Sequence, residues 1–109
     1  MLLSTDIWVG ALIRRAELSG AFAVVVRKGD PRAGAVLVKV MDRRDRSWRL
    51  FSEATRGDGE RVWMQPLKGE EADLDAYVER SRRIDPDLWV VEIDDAEGRH
   101  FLTEAVEER

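Results

Sequence analysis

The chain has 109 residues, of which 44% are hydrophobic and 37% charged, and its net charge is -4. This length predicts a single domain spanning residues 1–109, and the composition is typical of a folded protein with a charged surface. Cysteine is absent, which excludes disulfides, thiolate zinc sites and cysteine nucleophiles. Apolar runs are too short for a membrane span, and Asp6 interrupts the apolar N-terminus early. The sequence therefore predicts a cytoplasmic protein without membrane contact.

Charge is unevenly distributed along the chain. Residues 27–56 carry nine basic side chains and four acidic ones, whereas residues 57–109 carry seven basic and sixteen acidic ones. Such asymmetry can produce a polarised surface that steers a charged partner. The interpretation that we favour is that the two segments are neighbours in the fold and neutralise each other.

The first predicted element is a helix over residues 5–18. Ser4 or Thr5 can cap it, Asp6 suits the positive end of the helix dipole, and a Ser-Gly pair ends it. Apolar residues cover a very broad arc of its circumference, and Arg15 projects inside that arc.

Three predicted strands follow in the pattern of an antiparallel meander. Residues 21–26 form a continuous apolar run rich in β-branched side chains, which predicts a strand buried on both faces. After a turn at residues 30–34, residues 34–41 alternate, with valine at every second position on one face. Residues 47–52 complete the predicted meander.

The second half of the chain predicts a strand, a helix and a final strand. Residues 61–65 form a short fourth strand, which Pro66 ends because proline cannot donate to a ladder. Residues 70–84 form a helix with acidic residues at its start and arginines near its end, as the helix dipole favours. Residues 88–93 form the fifth strand, which a turn can connect to a short return strand over residues 99–102.

The order of these elements predicts an α+β fold. An N-terminal helix precedes an antiparallel meander of three to four strands, and a second helix precedes the C-terminal strand or short hairpin. Because each helix has to bury its apolar side against the sheet, we expect both helices to pack on one face of it.

An arginine pair on the first helix is the most unusual charged feature. A guanidinium inside an apolar arc has to be paired, reach the edge of the arc or bind an anion. A carboxylate from the segment that follows the second helix is the predicted partner of Arg15, and binding of an anionic ligand is the alternative. The residues of this predicted site are Arg14, Arg15, Asp85, Asp87 and Glu92.

A basic hairpin and two tryptophans form the second predicted site. Arg43, Arg44 and Arg46 lie in the hairpin with Trp48 in reach, a combination that can contact nucleic acid through phosphates and stacking. Acidic residues are interleaved with these arginines, which favours an ordinary solvated hairpin. The element order also matches the double-stranded RNA-binding domain, but acidic residues stand where that domain uses basic ones to bind phosphates. Trp63 follows a glycine-containing loop, and we predict that it is exposed on a partner-binding face.

Few residues are arranged for catalysis or metal binding. Asp87 and Glu92 resemble part of a nuclease pattern, but Asp94 stands where that pattern needs a lysine. His100 is the single histidine and has no evident catalytic partner in the sequence. Neither a nucleophile elbow nor a phosphate-binding loop is present. The sequence therefore predicts no catalytic residue, no metal site and no cofactor, and favours a protein that is not an enzyme.

Two tryptophan motifs near opposite ends of the chain carry a resemblance to a known family. They are DIWVGALIRR at residues 6–15 and DPDLWVVEI at residues 85–93. Together they resemble a family of small bacterial proteins catalogued as domain of unknown function fourteen ninety-one. The resemblance covers nearly the whole chain and implies a cytoplasmic bacterial protein of about this size. It implies no activity, and no functional residue is carried over from it.

The sequence as a whole favours a non-enzymatic protein-interaction module. Its partner is predicted to be another protein, or a second copy in a homodimer, bound through a sheet face or an exposed edge strand. A nucleic-acid-associated protein that uses residues 43–49 is the first alternative. A metal-binding protein or small enzyme that uses the carboxylates of residues 85–97 is the second.

Overall fold

The computed structural model describes residues 3–55, 57–58 and 61–107. In chain order the elements are α1 (Thr5–Leu18), β1 (Phe22–Arg27), β2 (Val36–Asp42), β3 (Ser47–Thr55), β4 (Arg61–Gly69), α2 (Glu71–Ile84), β5 (Trp89–Asp95) and β6 (Val106–Glu107). The strands form one six-stranded sheet in the order β1-β5-β2-β3-β4-β6. The predicted α+β class is therefore confirmed.

The sheet is mixed and is not a simple meander. β2, β3 and β4 pair antiparallel in sequence order, but β5 lies between β1 and β2, parallel to β2 and antiparallel to β1. Val91 of β5 is level with Val38 on one side and with Val25 on the other. The prediction that β1 begins the meander was wrong. The long connection through α2 returns the chain across the sheet, so that the apolar β5 takes a central place.

The two helices lie on opposite faces of the sheet, which corrects the prediction that they share one face. Side chains alternate between the faces of a strand, and Val38 packs in the same apolar cluster as Leu12 of α1. Leu37 packs in the other cluster, together with Leu74 of α2. Both faces of the central strands are apolar, so each face needs its own helix, and the sheet is the middle one of three layers.

β1 is exposed, although its apolar sequence predicts burial on both faces. It forms one edge of the sheet, while α2 packs over β3 and β4. The exposed fraction is 66% for Phe22, 50% for Val24, 37% for Val25 and 55% for Val26. A continuous apolar run indicates a hydrophobic strand but does not indicate where that strand lies in the sheet. The sequence alone therefore does not distinguish this edge strand from a central one.

β4 and the C-terminal segment also differ from the prediction. β4 continues through Pro66 to Gly69, because its register against β3 shifts between Leu50 and Ser52, and such a bulge accommodates a residue without an N–H group. Residues 99–102 are irregular and do not form a return strand. The described chain closes instead with β6, which runs parallel to β4.

The turn between β1 and β2 fixes the start of α1. The amide groups of Thr5 and Asp6 donate to the carbonyl groups of Arg32 and Pro31, at 3.1 and 2.9 Å. These loop carbonyls take the place of the predicted side-chain cap, which the described helix lacks. α1 therefore starts at the end of the sheet where β2 and β5 begin.

Candidate interaction surface

β1 presents an apolar strip at the edge of the sheet, formed by Phe22, Val24 and Val26. Strand alternation places Phe22 and Val24 on the face that α2 covers further along the sheet, whereas Ala23 packs toward α1. Val26 is the residue at the register shift between Val25 and Arg27. All three side chains are at least half exposed. Because β1 is the last strand of the described sheet, its outer side also carries backbone N–H and C=O groups that do not pair with β5.

This edge lacks the features that usually protect an edge strand. Residues 22–26 contain no charged residue and no proline. A register shift between Val25 and Arg27 interrupts the pairing with β5 only at the end of the strand. Arg27 Nε is buried there and has no hydrogen-bond partner among the described residues. The edge therefore leaves apolar side chains exposed and one buried donor unsatisfied.

A cleft of about 490 Å³ continues the apolar strip along the same sheet face. Phe22 is level with Asp94, Asp94 with Met41, and Met41 with Trp48. Arg43 joins strip and cleft, since its Nε lies 2.7 Å from Asp94 Oδ1 and its guanidinium lies 5.6 Å from the centre of the Phe22 ring. The lining residues are Met41, Arg43, Arg46, Trp48, Glu71 and Asp94. The strip is thus bordered by a cleft of mixed charge.

Lys39 lies on the same sheet face, beneath α2, with a side chain that is 6% exposed. Its Nζ lies 2.8 Å from Asp75, 3.3 Å from Glu92 and 3.7 Å from Glu71, and 5.0 Å from the centre of the Trp48 ring. Burial lowers the pKa of Lys39, but the hydrogen bond to Asp75 and the charges of Glu92 and Asp75 outweigh it, so the pKa lies above its ordinary value. Lys39 is therefore a protonated residue that ties α2 to the sheet, a role that its alternating position in β2 does not indicate.

The predicted basic hairpin is engaged by its own chain. Arg44 Nη2 lies 2.8 Å from Asp42 Oδ2 and donates to the carbonyl group of Glu97 at 2.8 Å. Arg43 contacts a carboxylate of β5, as described above. Arg46 is exposed and adopts a left-handed φ of 60° in the turn. The basic and acidic halves of the chain therefore meet at this hairpin and neutralise part of their charge.

Arg15 binds a backbone carbonyl group, where the sequence predicted a carboxylate. Its Nε and Nη2 donate to the carbonyl oxygen of Phe101 at 3.2 and 3.0 Å. The direction of α1 explains the difference. The helix starts near Asp87, because the β1–β2 turn that holds the start of α1 also donates a hydrogen bond from the Asp30 amide to the carbonyl group of Asp87. Arg15 lies roughly 15 Å further along the helix. Arg14 is exposed to solvent.

The acidic residues of the same predicted site are dispersed. Asp85 ends α2 and its Oδ1 accepts a hydrogen bond from the Asp87 amide at 3.0 Å. Glu92 lies on the opposite face from α1 and contacts Lys39. Within residues 3–55, 57–58 and 61–107, no group of three or more His, Asp or Glu side chains is placed to hold a metal ion. The structure therefore separates these carboxylates from Arg15.

Trp63 is buried, which corrects the prediction that it lies exposed on a partner surface. It is 0% exposed and stacks on Trp8 with ring centroids 5.3 Å apart. The indole Nε1 groups of both tryptophans donate to the carboxylate of Glu104, each at 3.1 Å. One carboxylate thus satisfies two buried indoles and ties the C-terminal segment to the core. The prediction was wrong because it rested on the loop that precedes Trp63 in the sequence. That loop does not indicate which face of β4 is covered by α1.

Comparison with known proteins finds relatives that match nearly the whole chain. A family model described as protein of unknown function (DUF1491) matches residues 3–103. The crystal structure of a DUF1491 family protein from Caulobacter crescentus CB15 is 76% identical, with 97% of this chain and 100% of that chain covered and a TM-score of 0.93. An NMR structure of a DUF1491 family protein from the same organism is 76% identical, with 98% of each chain covered and a TM-score of 0.92.

A more distant relative shares the same fold. The solution structure of protein Atu0922 from A. tumefaciens is 37% identical, with 98% of each chain covered and a TM-score of 0.83. No curated protein matches the chain. The comparisons therefore support the family resemblance carried by the two tryptophan motifs.

Proposed function

The chain belongs to the DUF1491 family, and we propose that it is a protein-interaction module that binds an extended polypeptide strand along the outer edge of β1. The observation that carries this proposal is the exposure of an apolar edge strand that is uncharged over residues 22–26, where Phe22, Val24 and Val26 are each at least half exposed. A strand added to such an edge gains backbone hydrogen bonds, and the alternate side chains of the edge give the contact its specificity.

The apolar strip supplies a useful part of the binding free energy. Complete burial of a valine or phenylalanine side chain contributes about 1.5–3 kcal/mol. Phe22, Val24 and Val26 are already partly covered, so each contributes on the order of 1 kcal/mol on binding. The loss of translational and rotational freedom opposes this gain. We therefore expect reversible binding.

The nucleic-acid alternative has less support from the geometry. Arg43 and Arg44 contact acidic groups of their own chain. Arg46 lines the cleft together with Glu71 and Asp94, whose carboxylates repel phosphate groups. A surface that binds a nucleic-acid backbone needs lysine or arginine side chains that are free to replace the counterions of the phosphates. Arginines that are already paired with carboxylates of their own chain do not provide such a surface.

We also propose that residues 1–109 form a single domain and that the protein is cytoplasmic, as its length and composition indicate. Among the residues that the structure describes, no helix is long and apolar enough to cross a membrane.

Site-specific photo-crosslinking in the producing cell tests the proposal. A photoreactive phenylalanine analogue replaces Val24, and a matched control carries it at Ala72, which is exposed on α2. We expect a defined protein adduct from position 24, absent from position 72 and lost when Val26→Lys is added to the edge. If position 24 gives no adduct above the Ala72 control, the proposal is wrong.

A further inference from the structure

We propose that the strand bound by β1 is β1 of a second copy of this chain, paired antiparallel across a two-fold axis; this inference rests on the function proposed above. The axis stands perpendicular to the sheet, because that orientation makes the two edge strands antiparallel and keeps α1 of both copies on the same side. Two six-stranded sheets would join into one continuous sheet without a free β1 edge.

The sequence of β1 is self-complementary in one register. With Val24 of each copy on the axis, Phe22 of one copy lies opposite Val26 of the other, and the residues between them also meet apolar residues. With Ala23 on the axis, Val26 would lie opposite Gly20, and with Val25 on the axis, Phe22 would lie opposite Lys28. Cross-strand pairs of aromatic and β-branched residues are favourable in a sheet, so the register centred on Val24 is the one assigned here.

The same register also buries the apolar side chains that β1 exposes in the single chain. Phe22, Val24 and Val26 are exposed at the edge of the sheet, because α2 packs over β3 and β4 and not over β1. Across the two-fold axis, the three side chains of one copy lie beside the three of the other. They form one apolar cluster centred on the axis, which accounts for a strand that is apolar and yet exposed in the single chain.

The antiparallel pairing keeps the like charges at the ends of β1 apart. Arg27 of one copy lies opposite Ala21 of the other, which keeps the Arg27 residues of the two copies roughly 20 Å apart. A parallel pairing would instead place Arg27 beside Arg27.

Sedimentation equilibrium of the full chain tests the pairing. We expect the average mass to rise from 12.5 kDa toward twice that value as the concentration increases. Val24→Lys should stay at the mass of one chain over the same range. Ala72→Lys is the matched control, because Ala72 is exposed on α2, which packs over β3 and β4, and this variant should dimerise like the wild type. Circular dichroism confirms that both variants fold.

A cysteine variant tests the register. Oxidised Val24→Cys should form a covalent dimer, because residue 24 faces its own copy across the axis at a distance that a disulfide can bridge, whereas Ala72→Cys should not. A mass of one chain at all concentrations, a dimer that survives Val24→Lys, or a lack of disulfide at position 24 each overturns the inference. If the chain is monomeric but position 24 photo-crosslinks to a different protein, self-pairing fails while the proposed function stands.

Discussion

Asp95, the last residue of β5, is a buried carboxylate that stabilises the end of the sheet. It is 1% exposed, and it accepts hydrogen bonds from Arg99 Nε and Nη2 at 3.0 and 2.9 Å. The amide groups of Glu97 and Arg99 donate to it as well. The hydrogen bonds from Arg99 outweigh the cost of desolvation and hold the pKa of Asp95 well below its usual range. Asp95 therefore stays ionised and closes the turn that follows β5.

We expect Asp95→Asn to lower the free energy of unfolding at pH 7 by about 1–3 kcal/mol, because a neutral amide replaces charge-assisted hydrogen bonds. The pKa of Asp95 is depressed in the folded state. Its contribution is therefore fully present above the unfolded-state pKa of about 3.9 and is lost as the pH falls through the lower folded-state pKa. Urea unfolding between pH 7 and pH 2 should show the difference between wild type and variant shrink below pH 4.

The exposed Asp73 provides the control for this prediction. Asp73→Asn should leave the pH dependence of unfolding close to that of the wild type. A stability difference for Asp95→Asn that is the same at every pH would contradict the assigned role of the ionised carboxylate.

Single residues with unusual surroundings can be recognised from the sequence more easily than their partners can. Arg15 is recognisable because it interrupts an apolar arc, but its partner is the carbonyl group of Phe101, and a carbonyl group has no residue-type signature. Lys39 is not recognisable at all, because a charged residue in an alternating strand usually faces solvent. Its carboxylate partners come from α2 and β5, which only the fold brings together.

Among the connections between elements, the turn that joins β1 to β2 is held closely against the start of β5. A Cβ atom added at Gly34 would collide with the carbonyl oxygen of Asp87 and lie 2.8 Å from Cδ1 of Trp89. Glycine is therefore required at this position by the close approach of two backbones. Gly10 is the contrasting case, because a Cβ atom added there meets nothing within 4 Å on the exposed side of α1.

These two glycines give a matched pair of predictions. Gly34→Ala should destabilise the fold by about 1–3 kcal/mol, since the new methyl group overpacks the turn. Gly10→Ala should stabilise it by about 0.5–1 kcal/mol, since alanine favours the helix. Thermal unfolding of the two variants measures both effects. Equal shifts in the same direction would contradict the packing described for the turn.

Elements with a strong local pattern could be predicted, and elements defined by their neighbours could not. α1 spans the predicted residues 5–18, and α2 begins one residue after its predicted start, because caps, charges and periodicity are local signals. β4 passes through Pro66 because a bulge opposite β3 relieves the missing donor. β6 has only two residues and forms through its parallel pairing with β4, for which the polar tail gives no signal.

The order of the strands decides which strand the whole molecule exposes at the edge of its sheet. Insertion of β5 between β1 and β2 moves the apolar β1 to the edge, and the two helices on opposite faces leave its side chains exposed. The pairing of β2 with β5 joins segments that are distant in sequence. Such non-local parallel pairing leaves no local pattern, so neither the edge position of β1 nor its candidate role could be predicted from the sequence. The family resemblance identifies relatives and leaves this surface unassigned.

Amide hydrogen exchange of β1 is the most direct test of the central claim, which is that the outer edge of β1 pairs with β1 of a second copy. The outward-pointing amides of residues 22–26 should exchange slowly at high protein concentration and faster on dilution, because strand pairing protects them. In Val24→Lys these amides should exchange fast at every concentration, while Leu50 and Phe51 of the central β3 stay protected in both proteins. Fast exchange of the outward-pointing β1 amides in the wild type at every concentration would contradict the account.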